Sequence, residues 1–221
     1  MNGLRSVEES YATEFIRKGI HLLSLLIPVV YYFITKQTAL SILIPLTLAF
    51  GLSDIARLFI PAVGRLYNRL FGFLLRAHER NETGRRLNGA TYVLFAATLC
   101  VMFFPKVIVI TAFAILIISD SSAALIGRRF GRHRFLTKTL EGAAAFFISA
   151  LIVVALAPKV EYLAGEYMIG VAGALVGAIV ESSTVGPDDN LSIPLSVGGV
   201  MWIMYTFLLP AVNVFKLDGL T

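Results

Sequence analysis

Seven apolar runs alternate with short charged segments along the 221 residues, at 20–34, 39–55, 90–104, 107–126, 143–157, 167–180 and 193–209. A hydrocarbon layer about 30 Å thick takes roughly 20 helical residues to cross. Inside it every backbone N–H and C=O must be satisfied within the chain, which leaves the helix as the natural solution for such runs. The sequence therefore predicts an all-α polytopic integral membrane protein of about seven transmembrane helices. Residues 1–221 form a single transmembrane domain, with little chain left for soluble modules. The composition agrees: 57% of residues are hydrophobic and 15% charged, with a mean hydropathy of +0.79, well past the apolar share of a soluble domain. Residues 1–11 are polar and carry Glu8 and Glu9. They lack the basic start and short apolar core of a cleaved leader, so the first run is expected to stay in the mature protein. Cys100 is the single cysteine and lies in an apolar run, which excludes an intrachain disulfide and a cysteine-built metal site.

The 19 Lys and Arg residues fix the expected orientation. With the N-terminus inside, the inner segments hold Arg5, Arg17 and Lys18, then Arg57, Arg65, Arg69, Arg76, Arg80, Arg85 and Arg86, then Arg128, Arg129, Arg132, Arg134 and Lys138. The outer segments hold Lys36, Lys106, Lys159 and Lys216. This asymmetry alternates segment by segment, as expected when cytosolic loops carry the basic excess, so the N-terminus is cytosolic and the C-terminus outside. The net charge of +5 thus reflects membrane orientation. It comes with no aromatic-rich basic groove, and no nucleic-acid partner is expected. Within 57–86, Leu58, Phe59, Val63, Leu66, Leu70, Phe71, Leu74 and Leu75 recur at helical spacing among arginines, the pattern of a cytosolic interfacial amphipathic segment.

The acids Asp54, Asp120, Glu141, Glu181, Asp188 and Asp189 and the histidines His21, His78 and His133 fall at the same inner face. Ion carriers place such groups near the bilayer midplane. Ionisable groups at the edge suit a site that meets a soluble compound and a membrane-resident one. Asp120 follows an apolar run and precedes Gly127, Arg128, Arg129, Gly131 and Arg132, which places it roughly 9 Å inside a helix ending at the loop. A carboxylate at that depth needs a cation: either an ion pair with a loop arginine or a Mg²⁺ ion, which takes one or two carboxylates with phosphate oxygens and water. The glycines with Arg128, Arg129, Arg132, Arg134 and Lys138 read equally as an oligophosphate cradle over 127–142 or as a basic loop with turn glycines. Lys138-Thr139 resembles the end of a Walker A loop, but no glycine precedes the lysine, so that fold is rejected. Glu141 suits a helix cap or a metal. Glu181, Asp188, Asp189 and Asn190 could hold a metal, place a hydroxyl or form a solvated turn. Arg17, Lys18 and His21 share helical spacing at the first span; basic anchors explain the first two, and His21 adds an imidazole able to act as donor or base. Asp54 and Arg57 could pair one turn apart.

In order, Arg17-Lys18-x-x-His21, Asp54-x-x-Arg57, Leu87-Asn88-Gly89-Ala90-Thr91-Tyr92, Asp120-x-x-Ala123-Ala124-x-x-Gly127-Arg128-x-x-Gly131, Lys138-Thr139-x-Glu141-Gly142 and Glu181 followed by Asp188-Asp189-Asn190-Leu191-x-Ile193-Pro194 resemble the CTP-dependent lipid kinases. That family comprises dolichol kinase, phytol kinase and the CTP-using diacylglycerol kinase. The stretch 120–142 is also similar to the phosphatidate cytidylyltransferases, whose Pro-Gly-His-Gly-Gly signature is absent. Ala143 stands where the family often has Ser or Thr, and the compact length is nearer the bacterial and phytol kinase-like members. The resemblance implies transfer of the γ-phosphate of CTP to the hydroxyl of a lipid alcohol (polyprenol, phytol or diacylglycerol) at the cytosolic leaflet of a bacterial cytoplasmic membrane. It implies Mg²⁺ as cofactor, with CTP, the lipid alcohol and the bilayer as partners. Asp120, Glu141, Glu181, Asp188, Asp189 and Asn190 would hold metal or the acceptor hydroxyl. Arg17, Lys18, Arg128, Arg129, Lys138 and Thr139 would bind the nucleotide, Gly127, Gly131 and Gly142 would let the backbone approach it, and His21 would be the base. Two alternatives stand beside this: synthesis of a CDP-lipid, and small-molecule transport.

Overall fold

A computed structural model describes residues 19–71, 87–183 and 186–219. Arg17 and Lys18, His78, and residues 72–86 of the amphipathic segment lie outside them. The helices are α1 (Leu26–Phe33, continuing helical residues 19–23), α2 (Lys36–Phe59), α3 (Pro61–Phe71), α4 (Gly89–Phe103), α5 (Lys106–Phe130), α6 (Leu140–Leu156), α7 (Ala164–Ser182) and α8 (Asp189–Leu208). A two-stranded antiparallel hairpin, β1 (Arg134–Phe135) and β2 (Lys138–Thr139), joins α5 to α6. The protein is an all-α membrane protein. By length and composition α2, α5, α7 and α8 can each cross a bilayer; Gly19–Phe33, Gly89–Phe103 and Leu140–Leu156 are shorter apolar helices.

α5 is the axis. Seventy-two per cent of its most apolar window is buried, against 17% for α2, and it packs against α1, α6 and α8. Ile108, Ala112, Phe113, Ile115, Leu116 and Ile117 are fully enclosed, while Leu48, Leu52 and Ile55 of α2 face outward, as lipid-facing side chains do. Small residues bring the helices close: a side chain on Gly177 would meet Phe146 at 2.9 Å, and one on Gly173 would meet Met201 at 3.0 Å. Close backbone approach of this kind drives packing in lipid, where apolar burial gives helices no preference for one another over acyl chains.

Helices α2, α4, α6 and α8 start ahead of their apolar runs because polar caps, not hydropathy, set their first residues. Thr35 caps α2 through Thr38 N, Asn88 caps α4 through Thr91 N, Thr139 caps α6 through Gly142 N and Asp188 caps α8 through Asn190 N; each satisfies a donor left over at a helix start. Short connections at 34–35, 104–105 and 157–163 lie at one end, and those at 131–139 and 186–188 at the other. At the first end lysines serve helix carbonyls: Lys36 Nζ donates to Met102 O, Lys106 Nζ to Ile34 O, and Lys159 Nζ to Val154 O and Ala157 O. Buried Glu166 there accepts from the N–H groups of Val160, Glu161 and Leu163 and from the Tyr205 hydroxyl. These lysines and Glu166 are thus occupied by backbone groups, while Lys216 and Glu161 pair with each other at 2.6 Å. The ionisable groups at the opposite end are arranged differently.

Candidate functional site

The site is built where five chain segments meet. The hairpin is bound to the end of α7 because Thr137 donates both its N–H and its Oγ1 to Ser182 O, at 3.0 and 2.8 Å. This holds Leu136 in a left-handed backbone conformation, φ 51°, that a leucine adopts only when its surroundings impose it. The turn projects Lys138, whose Nζ lies 2.7 Å from Glu181 Oε1 on the last turn of α7 and 2.9 Å from Asp189 Oδ2 on the first turn of α8. Asp120, two and a half turns from the C-terminal end of α5, acts electrostatically on both carboxylates. On its other side His21 Nε2 stands 3.7 Å from Asp120 Oδ2, both side chains nearly buried.

Burial disfavours the Lys138 ammonium, but the carboxylates of Asp189 and Glu181 more than offset this and raise its pKa above the ordinary 10.5. Lys138 is therefore charged at neutral pH. One ammonium thus bridges two carboxylates, those of Glu181 and Asp189. Glu181 is 4% exposed and Asp189 33%, so one side of the group is solvent-accessible.

Several predicted residues are placed differently from the sequence expectation. The expected loop at 127–142 is a helix end followed by a hairpin: α5 continues through Gly127, Arg128 and Arg129 to Phe130, so Asp120 lies roughly 15 Å inside the helix end. Gly127 is a packing glycine within the helix, where a side chain would meet Thr139 Oγ1 at 2.9 Å and Gly142 Cα at 3.4 Å. Gly131 caps α5 in extended conformation and is confined by Gly127 O and the Thr139 side chain. Gly142 in turn packs on Ala123 O. The three glycines thus bring α5 and α6 together beneath the hairpin. Glu141 engages the hairpin: its Oε1 is 2.7 Å from His133 Nδ1, and it accepts from His133 N. Asp188 caps α8 and holds the Asn190 amide at 2.7 Å. Arg128 and Arg129 are exposed on the last turn of α5, with Arg129 over the Phe130 ring.

Sequence reading missed Tyr67. Asp54, fully buried, accepts from Arg57 Nε at 2.6 Å, Asn88 N at 2.6 Å, Asn88 Nδ2 at 3.0 Å and Thr91 Oγ1 at 2.8 Å. Asn88 Nδ2 also reaches Tyr67 Oη at 2.7 Å, and the Arg57 guanidinium lies over the Tyr67 ring. The Asp54-x-x-Arg57 and Asn88-x-x-Thr91 spacings were visible, but not their shared destination. Gly89 adjoins the site, since a side chain there would come within 3.3 Å of Asn190 Nδ2.

Carboxylate oxygens are the hard donors magnesium takes, and the Lys138 ammonium between Glu181 and Asp189 shows that the pair holds a cation. Among the described residues no three His, Cys, Asp or Glu side chains stand together at metal-holding distance. The donors fit an ion that keeps one or two protein carboxylates and completes its shell with phosphate oxygens and water.

A helical membrane protein with carboxylates, a lysine and arginines converging at one end of its bundle defines a class: a membrane-embedded protein with a polar site at the lipid boundary. No protein-family model and no solved structure matches the chain. Among curated proteins it is 30% identical over 190 residues to an uncharacterized protein of Rickettsia prowazekii, covering 85% of this chain and 93% of that one, and it belongs to the same family. It is 26% identical over 165 residues to CTP-dependent diacylglycerol kinase 1 of Schizosaccharomyces pombe, covering 68% of this chain and 74% of the kinase. Over 97 residues it is 35% identical to a dolichol kinase of the same yeast, covering 40% of this chain and 17% of that enzyme. These similarities support membership of the CTP-dependent lipid kinases.

Proposed function

We propose that the protein is a lipid kinase that transfers the γ-phosphate of CTP to the hydroxyl of a membrane lipid alcohol, at the cytosolic leaflet of a bacterial cytoplasmic membrane crossed seven times. The observation that carries this reading is Lys138 bridging Glu181 and Asp189 beside Asp120. Phosphoryl transfer asks a protein mainly for positioning and charge stabilisation. A carboxylate group at a lipid boundary repels a bare triphosphate, so the nucleotide would enter with its magnesium. One or two of the carboxylates of Asp120, Glu181 and Asp189 would hold that ion, which would supply positive charge to the phosphates.

The protein's own groups supply the rest. Lys138 sits on a hairpin and can turn its ammonium from the carboxylates to a phosphate oxygen. Arg128 and Arg129 extend from the last turn of α5, where guanidinium groups bind phosphate in bidentate fashion; Arg17 and Lys18 are proposed to add to them. His21 beside Asp120 would accept the proton of the acceptor hydroxyl, and Asn190, held by Asp188, would orient it. Glu141 acts through His133 and the hairpin rather than on the phosphates. The lipid enters laterally, its hydroxyl at headgroup depth.

The test is incubation of the purified protein in detergent with labelled CTP or ATP and a panel of phytol, polyprenol and diacylglycerol. A labelled phosphorylated alcohol with CDP supports the kinase. A CDP-lipid with pyrophosphate, or nucleotide-independent uptake into proteoliposomes, rejects it.

A further inference from the structure

The amphipathic helix α3 has two faces with different partners. One is locked to the bundle. Gly64 lies against the end of α2, where a side chain would meet Arg57 O at 2.9 Å, and Tyr67 joins Arg57 and Asn88 as described. The other face carries Arg65 and Arg69 four residues apart, flanked by Ala62 and Leu66, all exposed. α3 follows the long apolar helix α2 after the single residue Ile60. Its start is therefore fixed at the depth where the acyl layer gives way to headgroups. Two arginines one turn apart at that depth, beside exposed apolar side chains, match a phosphate group with acyl chains beneath it.

We propose that the Arg65 and Arg69 face of α3 docks the phosphates of anionic phospholipids in its own leaflet, and that docking sets the activity of the site at the same end of the bundle. The second half rests on the lipid kinase reading; the first does not. The connecting contacts are Tyr67 to Asn88, Asn88 to Asp54, and Gly89 to Asn190. The first two are hydrogen bonds and the third is the close approach of the Gly89 backbone to Asn190, the residue that Asp188 holds beside Asp189, so a shift of α3 reaches the acceptor side of the site through Asn88 and its neighbour. Neither arginine belongs to the proposed catalytic group.

The full-length protein is reconstituted in nanodiscs of phosphatidylcholine alone or with phosphatidylglycerol. Retained phosphatidylglycerol is counted by native mass spectrometry for wild type and for Arg65→Gln/Arg69→Gln. Each surface arginine contributes about a fivefold preference for an anionic surface, so the double variant should retain it about twenty-five-fold less well. Equal retention overturns the docking site whether or not the protein phosphorylates anything. Lipid phosphorylation is then measured in both compositions. Wild type should be stimulated by phosphatidylglycerol and the double variant should hold its phosphatidylcholine rate in both. Equal stimulation of both proteins, or none in a wild type that retains the lipid and is active, overturns the coupling. Lack of activity under every condition counts against the kinase reading and leaves the retention result to decide docking.

Discussion

Lys138 Nζ lies 2.7 Å from Oε1 of Glu181, so one ion pair ties the β-hairpin between α5 and α6 to the last turn of α7. Glu181 is 4% exposed and Lys138 36%, and the two partners therefore depend on the pair unequally. Lys138→Met would leave a carboxylate buried without its cation, at a cost of roughly 1–3 kcal/mol after discounting for the solvent that reaches the lysine. The melting temperature in detergent should fall, and CTP-dependent phosphorylation should drop by about 10²-fold or more. Activity within threefold of wild type, a difference of roughly 0.7 kcal/mol, would exclude a role for this ammonium in the reaction.

The same pair sets a pH signature. The folded pKa of Lys138 is raised above 10.5, so its contribution to stability is fully present below the unfolded value and is lost only as pH rises through the folded one. The melting difference between wild type and Lys138→Met should stay level from neutral pH to about 10.5 and shrink beyond it. A difference that vanishes between neutral pH and about pH 9, well below the ordinary lysine value of 10.5, would contradict the pairing.

Asp120→Asn keeps the shape of the side chain and removes the charge that His21 and a phosphate-bound cation would share. Insertion and melting should stay close to wild type, since asparagine is isosteric with aspartate and keeps a polar group facing His21. Phosphorylation should fall by about 10³-fold. Normal turnover would remove Asp120 from the chemistry.

Gly127→Ala opposes two effects on one helix. Alanine gains up to about 1 kcal/mol in helix propensity, but its methyl would meet Thr139 Oγ1 at 2.9 Å and Gly142 Cα at 3.4 Å. Overpacking of a close contact costs typically about 1–3 kcal/mol, and it also disturbs the cap that Thr139 gives α6. Packing wins, so the variant should melt lower than wild type. A higher melting temperature would show that α5 and α6 can separate freely.

Asp54→Ala would leave donors on Asn88, Thr91 and Arg57 without their buried acceptor. Losing such a hub costs roughly 3–5 kcal/mol. The melting temperature should fall, and protease cutting at Arg65 and Arg69 should quicken as α3 comes loose from Asn88. An unchanged cutting rate would mean that Tyr67 alone holds α3.

The apolar runs coincide with every helix from α1 to α8 except α3, because that signal is local; of the amphipathic stretch 57–86, residues 57–59 close α2, α3 covers 61–71, and 72–86 lie outside the described residues. Helix ends were harder to place. Hydropathy ceases at Ile126, but the backbone of α5 continues helical to Phe130, since arginines are compatible with a helix leaving the apolar layer. The glycine at 127 could therefore be read as a turn from composition, while its real constraint is the Thr139 side chain twelve residues on. Glu141 is a similar case: its spacing from Lys138 was visible, but its commitment to His133 depends on the hairpin folding back.

The sequence alone determined which segments are apolar enough to suit lipid and that the ionisable groups fall mostly between them, because transfer into hydrocarbon is a cost each residue bears by its own chemistry. Only the tertiary structure decided the partnerships: Lys138 with Glu181 and Asp189, 43 and 51 residues away, His21 with Asp120, and Tyr67 with Asn88. Hydrogen bonds and ion pairs act over a few ångströms, and which groups come that close depends on how the helices pack, through the small residues that let α5, α6, α7 and α8 approach.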